Sequence, residues 1–137
     1  MCLILDASKY GEFLDLNNED MKPVRTWIGK NGKIVHSPTE KLKKELNKSS
    51  RMRTWIDARR GTDKVKIIDA GKVKKEERKL TGLVSNDAHI IALAIASNTK
   101  LLVSKDPDLN TDFRKKVKGK IYQYKSHKHL LRPDTCP

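Results

Sequence analysis

The chain has 137 residues, and 30 lysines and arginines stand against 17 aspartates and glutamates, a formal charge of +13. That length predicts one domain able to bury a true core, and the charge predicts a polyanionic partner, nucleic acid first. No apolar run approaches the roughly 20 residues that cross a bilayer.

The start lacks a basic segment ahead of an apolar stretch, so no leader peptide is expected. The two cysteines, Cys2 and Cys136, stand near opposite ends. They match neither a disulfide framework nor a zinc module, which fits a reducing, cytoplasmic setting with no membrane partner.

Leu3-Ile4-Leu5 reads as a strand buried on both faces, and Asp6 follows at its carboxyl end. Ala7 and Ser8 lead into SKYGEFLDL, where Tyr10, Phe13 and Leu14 share a helical face. Met21, Val24, Trp27 and Ile28 have helical spacing that ends at Asn31-Gly32, with Trp27 as a core anchor. Lys33 to His36 reads as the second strand, and Ser37-Pro38 as the start of the next helix. In that helix Glu40 and Glu45 are five residues apart, so only one of them points to the acidic edge.

Residues 48 to 66 are strongly basic. Met52, Trp55 and Ile56 supply an apolar face, and Arg51, Arg53, Arg59 and Arg60 spread over the rest as a phosphate-binding or simply solvated surface. Lys66-Ile67-Ile68 reads as a third strand. Ala70 to Leu80 is a polar helix whose Glu76 and Glu77 form surface ion pairs.

Ser85 and Asn86 are good helix caps, and Asp87 suits the first turn of a helix that Ile90, Ile91, Leu93, Ala94 and Ile95 make apolar on most sides. Leu101-Leu102-Val103 is a further buried strand, followed by an acidic loop, Ser104-Lys105-Asp106-Pro107-Asp108. RKKVKGK, with Lys115 and Lys116, is another basic run, and Ile121 to Tyr124 reads as the last strand. His127 and His129 lack a third partner nearby, which favours a basic, RNA-facing tail over a metal pair. Alternating strands and helices without repeats or linkers predict one α/β domain, a mostly parallel sheet of four or five strands with helices on both faces.

In such sheets the site lies outside the carboxyl ends of the strands. Asp6 and Asp106 each end a strand, and Asp87 opens the helix between them. Carboxylates gathered there repel one another and raise their pKa values. A hard cation, Mg²⁺ or Mn²⁺, relieves that conflict, activates water and neutralises charge on a phosphoryl group. Acid cluster and basic surroundings together outline a metal-dependent nuclease.

LILDAS, SNDAHIIALA and LLVSKDPDL, spread over nearly the whole chain, resemble the PIN-domain nucleases. The resemblance implies a three-layer α/β/α sandwich and Mg²⁺- or Mn²⁺-dependent cleavage of RNA. It implies that Asp6, Asp87 and Asp106 hold the metal, with Ser104 in the threonine position of the family's T-x-D pattern. Glu45, which precedes Leu46, matches the family's helical glutamate, with Glu40 as second choice. Asp112 matches a less regular acidic position, and Ser8 or Ser104 can orient a ligand or water. Nucleic acid, RNA before DNA, would contact Arg51, Arg53, Arg59, Arg60, Lys105, Lys115 and Lys116. Family members often act as toxins of toxin–antitoxin pairs and often dimerise, so the resemblance implies a protein antitoxin and a homodimer as partners.

The competing reading is a non-catalytic RNA- or DNA-binding module on the same fold. Receiver domains and dehalogenase-like phosphatases also use strand-end aspartates. Each wants a second carboxylate that this chain lacks after its first strand.

Overall fold

The computed structural model describes residues 2–132. The strands are β1 (Cys2–Leu5), β2 (Lys33–His36), β3 (Val65–Ile67), β4 (Leu101–Val103) and β5 (Lys120–Tyr122). They form one five-stranded sheet in the order β3-β2-β1-β4-β5. Every neighbouring pair is parallel, with Leu3 opposite Ile34 and Leu5 opposite Val103.

The helices are α1 (Tyr10–Leu14), α2 (Lys22–Lys30), α3 (Glu40–Asn47), α4 (Ser50–Arg59), α5 (Ala70–Arg78), α6 (Ala88–Ser97) and α7 (Pro107–Asp112). A π-helical turn spans Phe113–Val117 and a 3₁₀ segment spans Lys125–Leu130. No helix among the described residues is long and apolar enough to cross a membrane.

The strand pleat sorts side chains into two cores. Leu3, Leu5, Ile34, Leu101 and Val103 pack with Phe13, Val24, Trp27, Met52 and Ile56 of α1, α2 and α4. Ile4, Val35 and Leu102 face the other way, onto Val73 of α5, Ile91 and Leu93 of α6, and Phe113. The result is the expected three-layer α/β/α sandwich, with Trp27 in its core at 7 % exposure.

From β1 the chain runs outwards through β2 and β3, then crosses back to β4 and β5 on the other side. The strand order therefore reverses between β1 and β4, where open parallel sheets leave a crevice at their carboxyl rim.

Local chemistry moves several boundaries. The third helix starts two residues later than Ser37-Pro38 suggests, because Thr39 is its N-cap and accepts from the Leu42 amide. Ser37 is instead buried, its hydroxyl donating to the Ile68 carbonyl at 2.7 Å. The third strand begins at Val65, not Lys66, and the last one ends at Tyr122. Of the two glutamates on α5, Glu76 pairs with Lys79 at 3.5 Å.

The stretch after β4 is not a loop. Asp106 caps α7 through the amides of Asp108 and Leu109, and Pro107 opens the helix where its missing N–H costs nothing. Asn98 ends α6 in the left-handed region at φ 54°, which asparagine tolerates better than most residues. Cys2 is buried on β1, and Cys136 lies outside the described residues.

Candidate metal centre

Asp6 leaves β1 at the carboxyl rim, and its amide still bonds to the Val103 carbonyl of β4 at 3.0 Å. The residue is 5 % exposed. One oxygen, Oδ2, accepts from the Ser8 amide at 3.3 Å, the Ser8 hydroxyl at 2.5 Å and the Ser104 hydroxyl at 3.3 Å. The other oxygen accepts no hydrogen bond among the described residues. Ser104, fully buried at the end of β4, also accepts from the Asp106 amide at 3.1 Å, so one hydroxyl ties Asp6 to the start of α7. Asp106 spends Oδ1 on the cap of α7, at 3.0 and 3.3 Å, and leaves Oδ2 without a donor among the described residues.

Asp87 stands at the N-cap of α6 yet makes no capping bond with its side chain. The capping expected of Ser85 is turned elsewhere. Its hydroxyl accepts from the Asp87 amide at 3.3 Å and donates to Asp112 at 2.6 Å. Asp112 also accepts from the amides of Val84 at 3.0 Å and Ser85 at 2.8 Å. Burial raises the Asp112 carboxyl, but these donors outweigh it and hold the group below its usual range. Asp112 therefore clamps the segment that presents Asp87, and both its oxygens are already occupied.

Of the two candidate glutamates, Glu45 turns inwards and Glu40 is exposed in the first turn of α3. Leu42 and Leu46 of α3 bury into opposite cores, so the helix lies across the rim and not along one layer. Glu45 there touches Nε2 of His89, a residue of α6 that is 1 % exposed. One donor atom each from Glu45, Asp87 and His89 lies within 4.8 Å of the others.

The electrostatics report the same convergence. Burial raises the Asp87 carboxyl, and the charges of Asp6, Glu45 and Asp106 raise it further against the opposing His89. Asp6 is also raised, by burial and by Glu45, despite its serine donors. Tyr10, buried beside them, is pushed up by burial and by Glu45 and Asp6.

Such a set can hold a divalent cation. Cis ligands on one octahedral ion at about 2.1 Å stand roughly 3 Å apart and trans ligands roughly 4.2 Å, so donors within 4.8 Å are in reach of one ion. Carboxylate oxygens suit Mg²⁺ and Mn²⁺, and a neutral imidazole is acceptable to Mn²⁺.

His89 was absent from the sequence reading. Its signal was its setting: it is the one ionisable residue in AHIIALAIAS, two positions after Asp87. A lone polar group in an otherwise apolar buried helix needs a partner.

The basic residues separate by partner. Arg53 and Arg60 both reach Asp57, at 3.6 and 3.4 Å, and Lys105 pairs with Glu12 at 2.9 Å. Lys115 and Lys116 are exposed on the π-helical turn, on the α5–α6 side of the sheet. Arg51 donates to the Leu14 carbonyl at 3.4 Å, and Arg59 lies over the Trp55 ring at 4.2 Å.

Comparison of the chain with protein-family profiles, with curated proteins and with solved structures gives no match.

Proposed function

We propose that this protein is a divalent-metal-dependent ribonuclease whose centre is built from Asp6, Glu45, Asp87 and Asp106. One observation carries the reading: donor atoms of Glu45, Asp87 and His89 stand within 4.8 Å of one another at the switch point of a parallel sheet, where burial and then the charges of Asp6, Glu45 and Asp106 raise the Asp87 carboxyl. A fold gains nothing from that repulsion unless a cation is there to offset it. The motifs LILDAS, SNDAHIIALA and LLVSKDPDL, with their likeness to the PIN-domain nucleases, support the same assignment.

Asp6, Asp87 and Asp106 would hold Mg²⁺ or Mn²⁺ with Glu45. A bound ion of this kind lowers the pKa of its water and neutralises charge on a phosphoryl oxygen. The chain's own contribution is orientation. Ser8 and Ser104 fix one oxygen of Asp6 and leave the other available. The α7 cap does the same for Asp106. Asp112 holds the approach to Asp87. The strong excess of lysine and arginine draws in the polyanion. The likeness extends the proposal to a toxin restrained by a protein antitoxin, which co-purification with the product of an adjacent gene would test.

The decisive experiment follows RNA cleavage with Mg²⁺ or Mn²⁺ for the wild type, Asp6→Asn and Asp87→Asn. Each substitution keeps shape and removes charge, so cleavage falls by about a hundredfold or more. Cleavage that survives both substitutions removes these carboxylates from the chemistry. Tight, salt-sensitive RNA binding without turnover under either metal supports the non-catalytic binding module instead.

A further inference from the structure

Three cavities follow one another from the acid cluster along the first helical layer. The innermost, about 370 Å³, is lined by Tyr10, Glu45, Lys48 and Ser49, so it opens on the proposed centre itself. The next, about 400 Å³, begins at Ser50 and Arg51 and ends at Trp55 and Arg59, with Leu14 of α1 opposite. The third, about 350 Å³, shares Trp55 and Arg59 with the second and adds Arg25, Lys64 and Leu16.

No carboxylate lines either outer cavity, although the chain has 17. Arg51, Arg59 and Lys64 make no ion pair with a carboxylate among the described residues, whereas Arg25 is spent on the carbonyls of Phe13, Leu16 and Asn18. Arg53 of α4 and Arg60, just past its end, share Asp57 outside the cavities. The groove floor is apolar and aromatic. Trp55 meets Phe13 edge-on at 5.2 Å and carries the Arg59 guanidinium at 4.2 Å, and Leu16 is 82 % exposed beside it. Cations with no carboxylate to neutralise them, set over an aromatic floor, suit a strand whose phosphates face the cations and whose unpaired bases stack on guanidinium and indole planes. A duplex hides its base faces and cannot use such a floor.

We infer that a single RNA strand leaves the acid cluster past Lys48 and Ser49, follows the seam between α1 and α4, and stacks a base on the Trp55–Arg59 pair. The inference rests on the ribonuclease reading and names the form of substrate that the centre receives.

The test measures binding of a short fluorescein-labelled oligouridylate by anisotropy in EDTA, so that binding is read without cleavage. Arg59→Ala and Trp55→Leu each weaken binding by about tenfold, as expected for loss of one stacked base. Lys72→Ala and Lys74→Ala, at exposed positions of α5, change it less than twofold, and a duplex of the same length binds more weakly than the single strand. Photocrosslinking of an iodouridine-substituted strand to the unaltered protein labels the peptide that contains Trp55, which covers the case of a substitution that fails to fold.

Equal losses at Arg59, Lys72 and Lys74, equal affinity for duplex, or crosslinks confined to the α5–α6 side each overturn the groove. Binding that maps to the groove without turnover under Mg²⁺ or Mn²⁺ overturns the ribonuclease reading and leaves the groove intact. Cleavage that needs Asp6 and Asp87 but ignores Trp55 and Arg59 does the reverse.

Discussion

His36 should make the fold acid-sensitive. It is the last residue of β2, is 5 % exposed, and neither ring nitrogen has a hydrogen-bond partner among the described residues. Burial, then the charge of Arg60, pushes its pKa from 6.5 down to about 4, while Asp57 and Glu45 oppose the shift. The folded imidazole stays neutral where the unfolded one is protonated. Between those two values the unfolded chain binds one more proton, so stability rises with pH and is lost as pH falls. The loss is about 1.4 kcal/mol for each pH unit below 6.5, and on the order of 3 kcal/mol by the folded value near 4. His36→Leu removes the titrating group and its two unpartnered nitrogens. Urea unfolding of both proteins, followed by tryptophan fluorescence from about pH 7.5 to about pH 5, isolates the effect because the other groups cancel in the difference. The wild type should lose about 2 kcal/mol more than the variant over that range. Parallel losses would refute the reasoning, since they would mean that His36 titrates alike in both states.

Three further expectations follow from particular contacts. Asp87→Asn should raise the melting temperature of the metal-free protein, because it removes the charge that Asp6, Glu45 and Asp106 repel; it should also abolish the stabilisation of about 2.7 kcal/mol expected of the wild type at a hundred times the dissociation constant of Mn²⁺. Asp112→Ala leaves two amides and a hydroxyl without their acceptor, and chemical denaturation should register a loss of about 2–4 kcal/mol. At Gly119 an added Cβ would stand 2.3 Å from the Phe113 ring and 2.6 Å from the Lys100 carbonyl, which accepts the Lys120 amide. Gly119→Ala should therefore cost about 2 kcal/mol or more by calorimetry, whereas Gly11→Ala, with no atom within 4 Å, should not destabilise.

What could be read from the sequence and what could not divide along one physical line. Continuous apolar runs mark strands covered on both faces, so Leu3-Ile4-Leu5 and Leu101-Leu102-Val103 announced a parallel sheet. A residue just beyond a parallel strand must stand at the carboxyl rim, which made Asp6 and Asp106 legible as rim carboxylates. The choice between Glu40 and Glu45 depends on how α3 rolls over the sheet, and both glutamates satisfy its local pattern. Long-range partnership decides the rest. Arg53, Arg60 and Lys105 look as available as Arg51 and Arg59 until Asp57 and Glu12 take them up. His89 looks like a minor blemish in an apolar helix until α3 brings Glu45 against it.

The same division explains why Asp106, Asp112 and Asp87 differ although all three are acids beside a helix end. Asp112 faces two amides and a hydroxyl from residues nearly thirty positions away, and its charge is fully engaged by them. Asp106 meets its donors one turn ahead in its own helix, which occupies one oxygen and leaves the second. Asp87 has a helix N-terminus available yet makes no cap with its side chain. A carboxylate that forgoes that stabilisation and stands instead among three others is held there by tertiary packing against its own preference. Repulsion of that kind at one rim is what the proposed cation would offset, and a set of ordinary caps would not need one.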